Sequence, residues 1–278
     1  MTKETPTIEK VLVKAERKTP MVVVAEDRIV LYKRRGIEGD VNADPISPRQ
    51  VLLVEAETLE THGLSYGALR ENIVTRHGDL HTLETGTEMA IGSEVTLRIT
   101  FPCEACNFIA ALNVSQPRML VNNRGLLAVV LTDGTIRVGD EMRNLGKNFP
   151  QVPTQIYERF IWLINQIPAG TVIDYTTLIK VIGGSSSYLR AIPSFIKKAR
   201  AGNLNVPLHR IVTSTGNLIS YVDDPDTSLV QEGIVIENNA VNLARYRWDT
   251  AEIYYQRNSC FPSFSFKMNS TCRLRTNV

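Results

Sequence analysis

Apolar and polar positions follow two different periods along this chain, and the change between them falls near residue 150. Up to residue 143, short apolar runs rich in β-branched residues recur between turn signals such as Asp133-Gly134 and Gly139-Asp140. These runs favour strands, which we place at residues 21–25, 51–54, 95–100 and 127–131. One short helix is expected at about residues 55–61. Many short strands with little helix favour a barrel or a compact sheet.

Beyond residue 153 the period becomes helical. Apolar residues at positions 156, 160, 163, 164 and 167 share one face of a predicted helix, which Pro168-Ala169-Gly170 ends. A short strand at 171–175 leads to a second helix over about 176–182. The turn Gly183-Gly184 separates it from a third helix that ends near Ala201. Helix, glycine turn and helix in this order indicate a helix-turn-helix.

The third helix carries small and basic residues on one face. Arg190, Ser194 and Lys197 fall on the face opposite the apolar residues Leu189, Ile192 and Ile196. Residues 151–210 hold seven Lys or Arg against two acidic residues, a local charge of +5 in a chain whose net charge is +2. Local positive charge of this kind suits a nucleic-acid backbone. An ordinary amphipathic helix with a solvated basic face is the alternative.

Length and composition fit a protein of two domains. The chain has 278 residues, of which 43% are hydrophobic and 22% charged, as in soluble globular proteins. It has no long apolar run and no secretion signal, and its four cysteines are too few for a disulfide framework. We therefore expect a cytoplasmic protein with no membrane association. The predicted division is a first domain at 1–143, a linker at 144–153, a second domain at 154–249 and a disordered tail at 250–278.

Pro207-Leu208-His209-Arg210 is the most specific of five ordered segments in the second half of the chain. It is similar to the Pro-Cys-His-Arg active-site motif of the O6-alkylguanine-DNA alkyltransferases, which all five segments resemble. In that family the cysteine thiolate takes the alkyl group from a flipped guanine, and leucine has no group that could do so. The second half is therefore similar to the alkyltransferase-like proteins, which lack this cysteine. The other four segments are residues 167–175, 189–192, 232–234 and 242–248.

The resemblance implies a role for each matching residue. Arg190 would fill the gap that the flipped nucleotide leaves, Tyr175 would crowd the 3′ phosphate, and Pro207 and Leu208 would line the lesion pocket. His209 and Glu232, which activate the thiolate in the family, would instead hold the loop. The further residues expected to contact DNA are Ser194, Lys197 and Arg210.

Two departures from the family affect these expectations. Pro193 replaces a glycine of the recognition helix, and it is tolerated if the helix begins near Leu189 but produces a kink if it begins nearer Ser186. Leu208 stands where alkyltransferase-like proteins more often carry tryptophan or alanine, which leaves the size of the pocket open.

Six segments of the first half are informative by their order and spacing, namely residues 36–40, 48–51, 70–73, 92–95, 103–106 and 134–140. They resemble a MOSC domain, the module shared with the C-terminus of molybdenum-cofactor sulfurases. The resemblance implies that a cysteine carries persulfide sulfur or binds molybdenum, with Cys106 as the first choice and Cys103 as its partner. It also implies an anionic pterin phosphate held by Arg49, Arg70, Asn72 and Arg124.

The Cys-x-x-Cys pair has other interpretations. Cys103 and Cys106 could be two buried thiols without a chemical role, or half of a zinc site. Zinc needs two further ligands, and His77 and His81 are separated by a predicted turn. We therefore predict no metal site formed by these residues.

Together these features predict an α+β protein in which a β-rich MOSC-like barrel precedes a small α-helical domain with a helix-turn-helix. The predicted function is non-enzymatic recognition of O6-alkylguanine in duplex DNA by base flipping, with other DNA repair proteins as further partners. The first half would bind a sulfur- or molybdopterin-type ligand. The alternative is a sulfur-transfer enzyme of the MOSC class whose second half is a DNA or protein tether. A third interpretation is a second half that has lost any DNA role.

Overall fold

The computed structural model describes residues 4–104, 120 and 124–258. Up to residue 144 these residues form eleven strands, one α-helix and a 3-10 helix at Leu80–Thr82. The helix α1 spans Ala56–Thr61. The strands are β1 Thr7–Val13, β2 Val22–Val23, β3 Arg28–Tyr32, β4 Gly36–Ile37, β5 Val51–Glu55, β6 Ile73–Arg76, β7 Glu88–Ile91, β8 Val95–Pro102, β9 Leu126–Val130, β10 Gly134–Arg137 and β11 Met142–Asn144.

Eight of these strands form one curled sheet in the order β11-β7-β8-β9-β5-β6-β1-β2, and β10-β3-β4 form a second. Only β5 and β6 pair in parallel within the large sheet. The residues just before β11 return to β1. Glu141 forms a bridge with Thr7, and Ile8 N donates to Asp140 O at 2.9 Å. The sheet therefore curls into a barrel-like form, as predicted.

The central strands β5 and β9 are buried on both faces, which explains their continuous apolar sequence. Leu53 and Val130 point into a core between the two sheets. Leu52 and Leu127 point to the other side, into a core that they share with Phe160 and other residues after residue 150. The second half of the chain thus covers one face of the first half.

Residues 156–246 form the predicted helical half. Its helices are α2 Ile156–Ile164, α3 Tyr175–Val181, α4 Ile192–Ala201, α5 Pro225–Gln231 and α6 Leu243–Tyr246, with 3-10 helices at Ser186–Ala191 and Leu208–Arg210. Its short strands are β12 Ile173–Asp174, β13 Ile211–Val212, β14 Ile236–Glu237 and β15 Ala240–Val241. Strands β12 and β13 pair in parallel. The mixed α+β architecture expected from the sequence is confirmed.

The predicted third helix is divided in two. Residues Ser186–Ala191 form a 3-10 helix, and the α-helix begins only at Ile192, so that Pro193 falls in its first turn. Proline has no N–H to donate and is tolerated there, because the first N–H groups of a helix have no intrahelical acceptor. The turn at Gly183-Gly184 lies between α3 and the 3-10 helix, as expected.

Residues on both sides of the second half pack against the barrel. Phe149 and Val152, in the predicted linker, are each only 2% exposed. The fully buried guanidinium of Arg98 donates to the carbonyls of Pro150 and Tyr254.

The chain then returns to the barrel after residue 249. Tyr254, which is 2% exposed, donates its hydroxyl hydrogen to Val181 O at 2.6 Å, and Arg257 pairs with Glu88 at 2.7 Å. We call residues 250–257 the C-terminal strap. The disorder expected for the tail therefore does not include its first residues, since they are packed. The rest of the predicted tail, from residue 259, lies outside the described residues. Among the described helices, none has both the length and the apolar character that crossing a bilayer requires.

Candidate functional site

The start of α3 fixes the position of Tyr175. Asp174 accepts hydrogen bonds from the N–H groups of Thr176 and Thr177 at 3.0 and 3.1 Å, which caps the helix. Tyr175 is the first residue of that helix, and its hydroxyl lies 2.8 Å from the hydroxyl of Tyr221. Burial, and next the hydrogen bond with Tyr221, raise the pKa of Tyr175. The hydroxyl therefore stays protonated and able to donate at neutral pH.

The basic face predicted for the third helix is present on the surface. Arg190 is exposed in the 3-10 helix, and Ser194 and Lys197 are exposed on α4. On the opposite side, Ile192 and Ile196 are fully buried, which holds this segment against the core. The three polar residues thus face solvent, and Lys197 Nζ lies 5.8 Å from the centroid of the Tyr221 ring.

Leu208 lies in an open cavity beside α4. It is 7% exposed, and the 3-10 helix that it begins directly follows Pro207. The cavity has a volume of about 750 Å³, and its described lining contains no cysteine. Its lining residues are Arg200, Ala201, Asn203, Leu204, Asn205, Val206, Leu208, His209, Val222 and Asp223. Leu208, which corresponds to the cysteine of the Pro-Cys-His-Arg motif, therefore presents an apolar side chain to this cavity.

A network around Glu232 holds the loop that carries Leu208. His209 Nε2 lies 2.8 Å from Glu232 Oε1, and the Arg210 Nη2 group donates to the same oxygen at 2.7 Å. Gly170 N donates to Oε2 at 3.1 Å. Burial alone would raise the pKa of Glu232, but the hydrogen bonds from Arg210 and His209, with that from Gly170, outweigh it and lower the pKa to about 2. Glu232 is therefore an ionised anchor for the loop.

Arg210 takes part in this network rather than facing outward. Its Nη1 group donates to Ile167 O at 2.6 Å, and its other donors face Glu232. Its side chain is 18% exposed. The structure thus places Arg210, which we expected at the DNA surface, among the contacts that position Leu208.

Arg200 and Tyr221 were not singled out from the sequence. Arg200 on α4 donates to both carboxylate oxygens of Asp223 and to Tyr221 O, and so ties the recognition helix to the far wall of the cavity. Because these partners are 21 and 23 residues apart in sequence, no local period could have shown the contact.

A second cavity, of about 610 Å³, lies between the two halves. Four residues expected to bind an anionic cofactor line it, together with Cys103. Its lining residues are Asn42, Arg49, Leu52, Arg70, Asn72, Cys103, Glu104, Arg124, Leu127, Gly183, Gly184, Ser185, Ser187 and Tyr188. We call it the interdomain cavity. Its wall includes Gly183 and Gly184, the turn of the helix-turn-helix, and no local pattern predicts this contact between the halves.

Arg49 links this turn to the thiol. Its Nη1 group donates to Gly183 O at 3.2 Å, and its Nη2 group lies 3.6 Å from Cys103 Sγ. Cys103 is buried at 2% exposure. Cys106, the first choice for a sulfur carrier, lies outside the described residues.

Two of the four expected cofactor ligands, Asn72 and Arg124, are buried and make hydrogen bonds within the wall of the cavity. Asn72 donates its amide hydrogens to Asp40 Oδ2 at 2.9 Å and to Leu12 O at 3.3 Å. Arg124 donates to the backbone carbonyl of Glu104 at 2.8 Å. Asn72 therefore shapes the cavity, since its donors are already used.

A partly exposed cluster of carboxylates and imidazoles lies elsewhere on the barrel. Glu55, Asp79 and His81 bring one ligand atom each within 4.8 Å of one another, and His77 lies in the same shallow cavity. Glu55 already accepts a hydrogen bond from Leu80 N at 2.9 Å. Such groups are common on protein surfaces, and we assign no ligand to this one.

Two separate parts of the chain match models of known protein families. Residues 46–143 match the family model of the MOSC domain. Residues 155–234 match the model described as the DNA-binding domain of 6-O-methylguanine DNA methyltransferase.

Individual relatives match only parts of the chain or align loosely. A bifunctional methyltransferase/endonuclease from Picrophilus torridus is 28% identical over 103 residues, which is 36% of this chain and only 34% of that protein. The YUAD protein of Bacillus subtilis is 18% identical with a TM-score of 0.43, over 50% of this chain and 94% of that one. S. pombe Atl1, solved with damaged DNA containing O6-carboxymethylguanine, is 24% identical with a TM-score of 0.31, over 34% of this chain and 94% of that one.

Both predicted resemblances are therefore confirmed by the family models. Residues 46–143 are thus similar to a MOSC domain and residues 155–234 to the DNA-binding domain of 6-O-methylguanine DNA methyltransferase, with Leu208 in place of the cysteine of the Pro-Cys-His-Arg motif.

Proposed function

We propose that the second half recognises O6-alkylguanine in duplex DNA and binds the flipped base without removing its alkyl group. The observation that carries this proposal is the place of Leu208, in the cavity beside the recognition helix and next to His209. Alkyl transfer needs a nucleophile at the reacting carbon. A leucine side chain has none, so the bound lesion would leave unchanged.

The cavity suits a base that carries an added apolar group. Leu204, Val206, Leu208 and Val222 supply apolar surface, which favours an alkyl substituent over water. Its volume of about 750 Å³ is in the range of small-molecule sites, so a single nucleobase can enter. The Glu232 network keeps the loop in place when the base is absent, which reduces the ordering that binding requires.

The basic face would provide the contacts to duplex DNA. Arg190 is exposed at the end of the 3-10 helix, where its planar guanidinium could stack in the gap of the extruded nucleotide. Lys197 would neutralise a phosphate, and Ser194 is small enough to let the backbone approach. Tyr175 would crowd the phosphate on the 3′ side of the lesion.

In the first half we propose an anionic ligand of the sulfur or molybdopterin type. Arg49, Arg70 and Arg124 line the interdomain cavity with the thiol of Cys103, and guanidinium groups and a thiol fit the phosphate and metal of such a cofactor. If bound, the cofactor would supply redox or sulfur chemistry. The chain's own residues would hold its anionic end.

The test is a titration of matched duplexes that contain guanine or O6-methylguanine at fixed salt. We expect tighter binding of the modified duplex, and no mass increase of the protein after incubation. Arg190→Ala should weaken binding by about tenfold, in line with the loss of one stacked or charge-assisted contact. Arg143→Ala, an exposed arginine on β11, is the matched control. Equal affinity for both duplexes, or an alkylated protein, would contradict the proposal.

A sulfur-transfer enzyme is the second candidate, and it is favoured by the contact between Arg49 and the Cys103 thiol. In that case Cys103→Ser or Cys106→Ser should abolish sulfur transfer while leaving DNA affinity unchanged. If no duplex is bound at any salt concentration, the second half is a tether or a scaffold only.

A further inference from the structure

The described lining of the interdomain cavity holds more basic than acidic side chains. Three of its lining residues are arginines, and its only described acidic lining residue is Glu104. That carboxylate is not free to neutralise them, because its Oε1 atom accepts a hydrogen bond from Arg159 at 2.6 Å. The interior of the cavity therefore favours an anion, and oxyanions match the fork of donors that each guanidinium presents.

The DNA-binding half supplies hydroxyl groups to the same cavity. Ser185 and Ser187, in and just after the turn, both line it, and their hydroxyl oxygens lie 2.6 Å apart. In such a pair one hydroxyl donates to the other, so that one hydrogen remains available to a ligand. The cavity is thus built from charged groups of one half and hydroxyl groups of the other.

The turn at Gly183-Gly184, which lines the cavity, is followed by the 3-10 helix Ser186–Ala191. Ser187 and Arg190 belong to the same 3-10 helix. Arg49 already holds this turn through the Gly183 carbonyl, and a bound anion would compete for the same guanidinium. An anion at this place would also add negative charge near Arg190, which follows Ser187 by three residues in the same 3-10 helix. Charges within a Debye length of about 8 Å are not fully screened at physiological salt.

We propose that the interdomain cavity is an oxyanion-binding site shared by Arg49, Arg70 and Arg124 with Ser185 and Ser187, and that its occupation weakens DNA binding. The inference rests on the DNA-binding role proposed above for the second half. It adds that the MOSC domain and the DNA-binding domain act on each other through one ligand. Because linkage is reciprocal, DNA would weaken binding of the oxyanion by the same factor.

The ligand group is an oxyanion that is either free or attached to an organic molecule as a phosphomonoester. The volume of about 610 Å³ leaves room for more than a phosphate, so that both sources need a separate measurement. Calorimetric titrations of the full chain with inorganic phosphate and with glycerol 2-phosphate distinguish them. We expect both to bind, and the ester to bind more tightly if the site is built for an organic ligand.

The first experiment asks whether both halves form the site. Phosphate affinity should fall in Arg70→Gln and in Ser187→Ala, both of which alter exposed side chains and should leave the fold intact. Arg143→Gln, which alters an exposed residue of β11 outside the described lining of the cavity, is the matched control and should bind phosphate as the unmodified protein does. Undiminished binding by Ser187→Ala would show that the first half alone forms the site, and would overturn the proposal.

The second experiment measures the linkage. Affinity for an unmodified labelled duplex is determined with and without phosphate, with potassium chloride adjusted to hold ionic strength constant. We expect phosphate to weaken binding about fivefold, at the low end of measured allosteric couplings, in the unmodified protein and in Arg143→Gln. The effect should disappear in Arg70→Gln.

The outcomes separate this proposal from the proposed function. A phosphate effect that persists in Arg70→Gln would indicate competition at the DNA-binding face, and unchanged or increased DNA affinity would show that the predicted linkage does not exist. Equal affinity for modified and unmodified duplexes overturns lesion recognition but leaves the linkage measurable. If the chain binds no DNA, the linkage fails with the proposed function, and calorimetry on Ser187→Ala still decides whether the site is shared.

Discussion

The guanidinium of Arg159 lies 3.9 Å from the centroid of the Phe101 ring, and this contact joins the two halves of the chain. Arg159 is fully buried on α2, and Phe101 is fully buried on β8. Arg159 also donates to Ile182 O at 2.7 Å and to Glu104 Oε1 at 2.6 Å. The Arg159 side chain thus connects the C-terminal end of β8, in the barrel, to the C-terminal end of α3.

Replacement of Arg159 by leucine should destabilise the whole chain. The variant leaves the Glu104 carboxylate and the Ile182 carbonyl without their donor, and the expected loss is about 3 kcal/mol. Denaturant unfolding followed by tryptophan fluorescence measures it. Arg143→Leu, which removes an exposed arginine, should change the free energy of unfolding by less than about 0.5 kcal/mol. Equal stability of the two variants would show that the contact between the halves contributes little.

Gly183→Ala should disturb the turn of the helix-turn-helix. Gly183 has φ +73°, and an added Cβ would lie 2.4 Å from Phe101 Cζ. Gly146→Ala is the matched control, because Gly146 has φ +92° with no atom within 4 Å of the added Cβ. The free energy of unfolding of the control should fall by about 1 kcal/mol from backbone strain alone. That of Gly183→Ala should fall by more, and this variant should bind DNA more weakly. Similar losses in both variants would mean that the barrel does not restrain the turn.

Glu232 should make stability depend on pH in the acid range. Its folded-state pKa of about 2 lies below the ordinary value of 4.5, so that its contribution is complete above pH 4.5 and is lost as the pH falls toward 2. This lowering of the pKa corresponds to a contribution of about 3 kcal/mol to the free energy of unfolding. Glu232→Gln should therefore be less stable than the unmodified protein at pH 7, and the difference should shrink by about pH 3. The exposed Glu237→Gln should show no such convergence; a constant deficit in Glu232→Gln would contradict the assignment.

Lys197→Ala should reduce the salt dependence of DNA binding. If Lys197 neutralises one phosphate, the slope of log affinity against log salt concentration should become less steep by about 0.9. The loss of affinity should be the same for modified and unmodified duplexes, since a phosphate contact carries no information about the base. Lys33→Ala, exposed on the barrel, should leave the slope unchanged. A change in lesion preference rather than slope would place Lys197 in the pocket instead.

The spacing of apolar residues predicted many of the helices and strands, because a helix or strand is determined largely by residues that are neighbours in sequence. The helical period at Ile156 and Phe160 gave α2, and the apolar run from Val51 gave β5. The division of the third helix did not follow from periodicity, since the 3-10 segment and α4 share one apolar face and Pro193 alone marks the boundary.

The relation between the halves could not be predicted in this way. Arg49 and Gly183 are 134 residues apart, and neither has a local signal for the contact. Residues 144–153 were predicted to be a linker, whereas Val152 is part of a core shared by both halves. Asn72 illustrates the same limit, because its residue type suits a ligand but its donors face Asp40 and Leu12.

The C-terminal strap has a consequence for the order in which the protein matures. Tyr254 and Arg257 are among the last described residues to leave the ribosome, yet Arg98 and Glu88, their partners in the barrel, are made more than a hundred residues earlier. Domains usually fold in turn during synthesis. Here the Arg98 guanidinium and the Glu88 carboxylate lack these partners until residues 250–257 are made, so that the packing of the barrel is completed only after the second half of the chain has been translated. The two halves would then reach their final packing together.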